Sequence, residues 1–121
     1  YRVPARCDSQ CKNAIYSIQQ VWLALGRETD RAQATLIVTE DSDRSAINQL
    51  EQRGPLNIVN AQAVSQDKRL NKFGDNTVYL VDTLNQAMLR YEVSADRETA
   101  ILNSRDMLAD VKKLLKLSRI G

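Results

Sequence analysis

Two cysteines, Cys7 and Cys11, stand in a chain of 121 residues that contains no histidine. Their spacing decides what chemistry they can do. Cysteines four apart at the start of a helix share one face, with Cα atoms roughly 6 Å apart, inside the range a disulfide accepts. The unpaired N–H groups at a helix start favour a nearby anion, so a thiolate there forms more easily and reacts faster. Arg6 and Lys12 would add to that effect and Asp8 would oppose it. Two thiolates on one turn also suit Cu(I), a soft cation content with few sulfur ligands. Zinc wants four ligands, and imidazole is missing from every scheme, which removes Ser-His-Asp triads, Cys-His proteases and His-ligated zinc. Four readings stay open: an exchanging dithiol, a Cu(I) holder, an inert disulfide, or two small residues packed at a helix start.

The elements that must position this pair follow from the hydrophobic pattern. Residues 2–5 form a short extended stub interrupted by Pro4. Asp8 or Ser9 can cap a helix in which Ile15, Ile18, Val21, Trp22 and Leu25 recur at helical spacing until Gly26. Trp22 is expected in the core. Residues 34–39 are apolar and β-branched, the profile of a strand covered on both faces. Ser42 or Asp43 caps a second helix with Ile47 and Leu50, closed by Gly54-Pro55. A strand at 56–59 and a helix at 61–73 ending at Gly74 come next. Strands at 77–82 and 87–93 have the spacing of a hairpin. After a polar, irregular stretch at 94–103, a last helix beginning at Asn103 or Ser104 carries Met107, Leu108, Val111, Leu114 and Leu115. Strands separated by helices imply an α/β domain with a parallel sheet and helices on both faces, which binds ligands beyond the carboxyl ends of its strands. The cysteine segment lies at that edge, where the first strand hands over to the first helix.

Size and charge narrow the function classes. At 121 residues the chain suits one domain, residues 1–121, large enough to fold without stapling disulfides, so the cysteines need another reason to be there. The balance of 17 Lys and Arg against 15 Asp and Glu lacks the concentrated positive charge that a phosphate backbone demands, which argues against nucleic acid. No apolar run approaches the ~20 residues of a membrane span, and the opening at Tyr1 reads as an excised piece. Glu40-Asp41-Ser42-Asp43 falls where carboxylates stabilise a helix start rather than hold a hard cation. Arg105, Lys112, Lys116 and Arg119 make a basic stripe on the last helix that reads as a solvated face, with anionic headgroups as the other possibility. Tyr16 lies one turn beyond Cys11 and is either core or a shield over the thiols.

The C-x-x-x-C at the first helix, Asp75-Asn76-Thr77 before Val78-Tyr79-Leu80-Val81-Asp82, the hairpin and the closing amphipathic helix together resemble the Sco (SenC-type) family of thioredoxin-fold cytochrome c oxidase assembly proteins. Ala14-Ile15-Tyr16, Trp22-Leu23-Ala24-Leu25-Gly26 and the ending from Leu114 to Gly121 are similar to the membrane-anchored cytochrome oxidase associated proteins of proteobacteria. The resemblance implies a thioredoxin-like fold with a central mixed sheet, helices on both faces and a first strand that is short or truncated. It further implies an accessory role in oxidase biogenesis, with Cys7 and Cys11 as the residues that exchange disulfides or hold Cu(I). Oxidase subunits or other assembly factors would be the partners. A membrane tether outside this chain would hold the domain on the inner membrane, facing the periplasm. In the Sco pattern two cysteines and one histidine bind copper; here Asn76 stands in the histidine's place, facing the pair in that alignment, and the prolines that usually flank the cysteines are missing. A peroxiredoxin-like peroxidase would carry Thr where this chain has Pro4, and a thioredoxin-like oxidoreductase would carry C-x-x-C and a proline before the hairpin. The other class consistent with the fold is a redox-inactive interaction module docking onto a membrane partner.

Overall fold

The computed structural model describes residues 1–52, 56–60, 76–82 and 87–118. The segment before the cysteines pairs with β1 (Thr35–Val38) through one parallel bridge at Arg2 and Ile37. Val3 N–H donates to the Ile37 carbonyl at 2.9 Å, and Ile37 N–H donates to the Tyr1 carbonyl at 2.8 Å. Pro4 has no N–H with which to continue the ladder, so the first strand is as short as its sequence suggests. On its other side β1 pairs in parallel with β2 (Asn57–Asn60), with Leu36 opposite Ile58. Leu36 and Val38 are fully buried, whereas Thr35 and Ile37 are only half-buried, so one face of β1 meets the core and the other is partly covered.

Helix α1 (Ser9–Ala24) starts at Asp8, whose carboxylate accepts the Cys11 N–H at 3.0 Å. It stops at Gly26, which takes the left-handed conformation at φ 56 that closes helices at low cost. Ile15 is completely buried and Val21 and Leu25 nearly so. Trp22 departs from the expectation: it is half-buried, and its Nε1–H donates to the carbonyls of Ala32 (2.8 Å) and Thr29 (3.0 Å). The indole clamps the 3-10 turn Gly26–Arg31 to the end of α1, because its polar edge needs a partner that a core position would deny it. Helix α2 (Arg44–Glu51) is capped by Asp43 and buries Ala46, Ile47 and Leu50. Gln19 of α1 donates to the Leu50 carbonyl at 3.0 Å, a second donor to an oxygen that also accepts the Gln52 N–H at the end of α2.

Strands β3 (Thr77–Val81) and β4 (Ala87–Glu92) form an antiparallel pair with a register shift between Leu80 and Val81. The described strands are thus bonded as two pairs, one parallel and one antiparallel, which together give the mixed α/β character of a thioredoxin-like fold. The predicted helix at 61–73 and the turns at Gly54-Pro55 and 83–86 lie outside the described residues.

Helix α3 (Arg97–Ser118) begins six residues earlier than its pattern suggests. Asp96 accepts the Thr99 N–H (3.0 Å) and the Thr99 hydroxyl (2.6 Å), so the stretch expected to be irregular opens a helix. Its Ala100 and Met107 are buried against the core, which also holds Val3, Cys7, Cys11, Ala14, Ile15, Leu36, Val38, Ile47, Leu50 and Val78. Arg105, Lys112 and Lys116 are exposed, and Arg119 lies outside the described residues. Among the described residues no helix is long and apolar enough to cross a membrane.

Candidate functional site

Cys7 sits in the loop just before α1 and Cys11 in its first turn, and the two are joined as a disulfide with Cα atoms 5.0 Å apart. Cys7 precedes the Asp8 cap, so the distance is set by the turn into α1 rather than by helical spacing. Burial separates the two ends: Cys11 is wholly buried, whereas Cys7 keeps 7% of its surface. Both cysteines thus count among the buried residues, Cys7 less completely than Cys11. Cys7 joins the same buried cluster as Val3 and Ile15, because the stub before it is pressed onto β1.

Three side chains hold the segment in place. Asp8 caps α1 as described above. Ser42, buried in the loop after β1, donates to the Val3 carbonyl at 2.8 Å while its oxygen accepts the Thr39 N–H at 2.8 Å. Asp43 reaches the disulfide from the cap of α2: one carboxylate oxygen accepts the Cys7 N–H at 3.0 Å and the other accepts the Ala46 N–H at 3.1 Å. Its own N–H donates to the Pro4 carbonyl at 3.0 Å. The Cys7 and Ala46 amides, helped by the nearby Lys12 charge, hold the Asp43 carboxyl below the usual carboxylate range. The capping role of Asp43 is readable from its place before an apolar run. Its bond to Cys7 spans 36 residues and leaves no local trace in the sequence.

Two other residues singled out in the sequence make contacts of their own. Tyr16 is half-buried, and its ring is covered by the Arg97 guanidinium at 4.1 Å, a cation–π contact between α1 and α3. Asn76 is exposed and takes a positive φ of 58, while its carbonyl accepts the Val93 N–H at 3.1 Å. Asparagine is among the few residues that tolerate this conformation, which gives its identity a backbone reason at the start of β3. Among the described residues no three His, Cys, Asp or Glu side chains are grouped to hold a metal ion. The two-cysteine, one-histidine copper set of the Sco pattern does not fit this chain, which has no histidine.

The arrangement is a bonded cysteine pair at a helix start, with both cysteines in the core and Cys7 the less completely buried. No curated protein and no solved structure matches the chain. Residues 1–118 match the model of the transmembrane-like, thioredoxin-like C-terminal domain, and the chain belongs to that family.

Proposed function

We propose that this domain is a thiol–disulfide exchange module in which Cys7 exchanges with a partner protein and Cys11 resolves. The observation that carries the reading is the Cys7–Cys11 disulfide at the start of α1 in a thioredoxin-like domain, with Cys7 the less completely buried of the two. In the reduced state the Cys7 thiolate attacks a sulfur of the substrate disulfide. A Cys7–substrate bond forms, the substrate's S–S bond breaks, and one substrate thiolate leaves. The Cys11 thiolate then attacks the Cys7 sulfur, which releases the second substrate thiolate and closes the Cys7–Cys11 disulfide. The substrate gains the two electrons that the pair loses.

The likeness to Sco proteins makes cytochrome c oxidase biogenesis the context we favour, with oxidase subunits or other assembly factors as substrates and a tether placing the domain at the periplasmic face of the inner membrane. Holding Cu(I) is the weaker half of the proposal, since it requires the reduced pair to act as a two-sulfur ligand set without a third. A second reading is supported by the membership of both cysteines in the core cluster: a redox-inactive module whose disulfide only ties the stub to α1.

Alkylation mass shifts across a graded glutathione series, with and without Cu(I), separate these readings. An exchanging pair passes from disulfide to dithiol without denaturant. A pair that stays oxidised under excess dithiol leaves the docking module as the better account. Cys7→Ser and Cys11→Ser should each abolish turnover, but only Cys11→Ser should accumulate a mixed disulfide with its partner, carried on Cys7. Equal trapping by both variants would contradict the assignment of Cys7 as the exchanging sulfur.

A further inference from the structure

We propose that Asp43 is a positioning residue for the redox pair, a carboxylate on the α2 cap that fixes the backbone of Cys7 and biases the pair toward its disulfide. The inference rests on the exchange reading above and assigns it a regulator outside the cysteine segment.

The geometry is specific. Asp43 divides its two oxygens between two helices' worth of backbone: one holds Ala46 N–H at the start of α2, the other holds Cys7 N–H before α1. Its own N–H on the Pro4 carbonyl closes the clamp from the other side, and Ser42 holds Val3 in the same loop. The Cys7 sulfur is three bonds from the nitrogen that Asp43 grips. Two consequences follow, and both act in one direction. Fixing the Cys7 backbone keeps its sulfur beside Cys11, so the effective concentration of each thiol at the other is high and closure is favoured. A carboxylate this near also disfavours negative charge on a Cys7 thiolate, which penalises the reduced form. Arg6, exposed in the same loop, and Lys12, exposed on α1, carry only donors, so neither can accept the Cys7 N–H in place of Asp43.

The equilibrium to measure is disulfide plus two glutathione molecules giving the Cys7/Cys11 dithiol plus glutathione disulfide, read by alkylation and mass. Three variants of the full chain are compared with wild type. Asp43→Asn removes the charge and leaves one carbonyl oxygen for two amides. Asp43→Ser keeps a side chain suited to cap α2 but is too short to reach Cys7. Asp41→Asn removes the same charge from an exposed neighbour in the same loop. The clamp predicts that both Asp43 variants become easier to reduce by about tenfold, within the range of a lost charge-assisted hydrogen bond, or about 30 mV for this two-electron couple. Asp41→Asn should stay within about twofold on this argument, because a screened surface charge is worth little. Because Asp43→Ser retains the helix cap, a shift shared by both Asp43 variants cannot be ascribed to loss of α2.

A wild-type midpoint unchanged in both Asp43 variants overturns the proposal and leaves the exchange reading standing. An equal shift in Asp41→Asn overturns it as well, since general charge would then suffice. A wild-type pair that does not titrate at all overturns both readings together.

Discussion

Around the cysteines the backbone is held by side chains, whereas in the β3–β4 hairpin it is held by its own ladder. Pro4 leaves the first strand a single bridge; Ser42 and Asp43 bond the Val3 carbonyl and the Cys7 amide around it, and Asp8 caps the helix that follows. In the hairpin, register from Thr77 opposite Glu92 to Leu80 opposite Leu89 does the same work without side chains, and Met88 and Leu89 are left about half exposed. Substitutions of polar side chains should therefore cost most near the disulfide, and truncation of exposed hairpin side chains such as Met88 and Leu89 should cost little. That asymmetry suits a centre whose geometry has to survive the opening and closing of one S–S bond.

The largest effect is expected where the cysteine helix enters the core. Ile15 has no exposed surface, and Ile15→Ala should cost about 2–5 kcal/mol through lost burial and the cavity left behind. Leu89→Ala on β4 should fall within about 1 kcal/mol, since 43% of that side chain is already in water. Urea midpoints for the two variants test the contrast, and similar losses at both positions would break it.

Ser42→Ala is the next test and probes the polar clamp directly. It strands the Val3 carbonyl and the Thr39 N–H together in a buried loop, at a cost of about 1–3 kcal/mol. A loss near zero by thermal melting would mean that water replaces the hydroxyl readily and that the clamp is not what fixes the stub.

How much of this was legible follows from which forces are local. Helix α1 could be read because its cap, its 3.6-residue period and its terminal glycine all lie within eighteen residues of one another. The place of the cysteines at its start came with it. Asp43 could be read as a cap because Ala46, Ile47 and Leu50 follow at helical spacing, but its grip on Cys7 depends on β1 carrying the loop back to the stub. The depth at which the disulfide lies is equally non-local, since it depends on the stub packing against Ile37. Trp22 was assigned to the core on apolar area alone, although its N–H needed the Ala32 carbonyl. The early start of α3 was missed because a polar run masked one capping aspartate.

On the far side of the comparison, Tyr91 in β4 donates its hydroxyl to Asp110 of α3 at 2.6 Å. Burial, first, and then the Asp110 carboxylate raise the Tyr91 phenol well above its ordinary value. The unfolded chain ionises this phenol near pH 10 while the folded chain holds its proton. Its contribution is thus fully present below about pH 10 and is lost as pH rises from there through the folded value. Tyr91→Phe should cost about 0.5–1.5 kcal/mol at neutral pH. The gap to wild type should narrow on melting above pH 10. A gap that widens with alkali would reverse the sign of this coupling.

The smallest effect concerns the first turns of α3, where a carboxylate serves one helix end and nothing else. Asp96 accepts from the Thr99 hydroxyl and N–H, and those two bonds hold its carboxyl below the usual carboxylate range. Protonation weakens both, so their contribution is present above the unfolded value near pH 4 and is lost as pH falls through the lower folded one. Asp96→Ala should produce the same fraying at neutral pH, confined to the turn that Thr99 closes, because Ala100 is buried and anchors the helix immediately afterwards. Amide exchange is the measurement. Faster exchange near Thr99, with Met107 and the cysteine segment unchanged, is the expected pattern. If the accelerated region reaches Cys11, α3 and α1 unfold as one unit through Asn13, which donates to the Ser94 and Ala95 carbonyls at 3.0 Å each. The side-chain clamp and the last helix would then be parts of a single cooperative structure rather than two separately held regions.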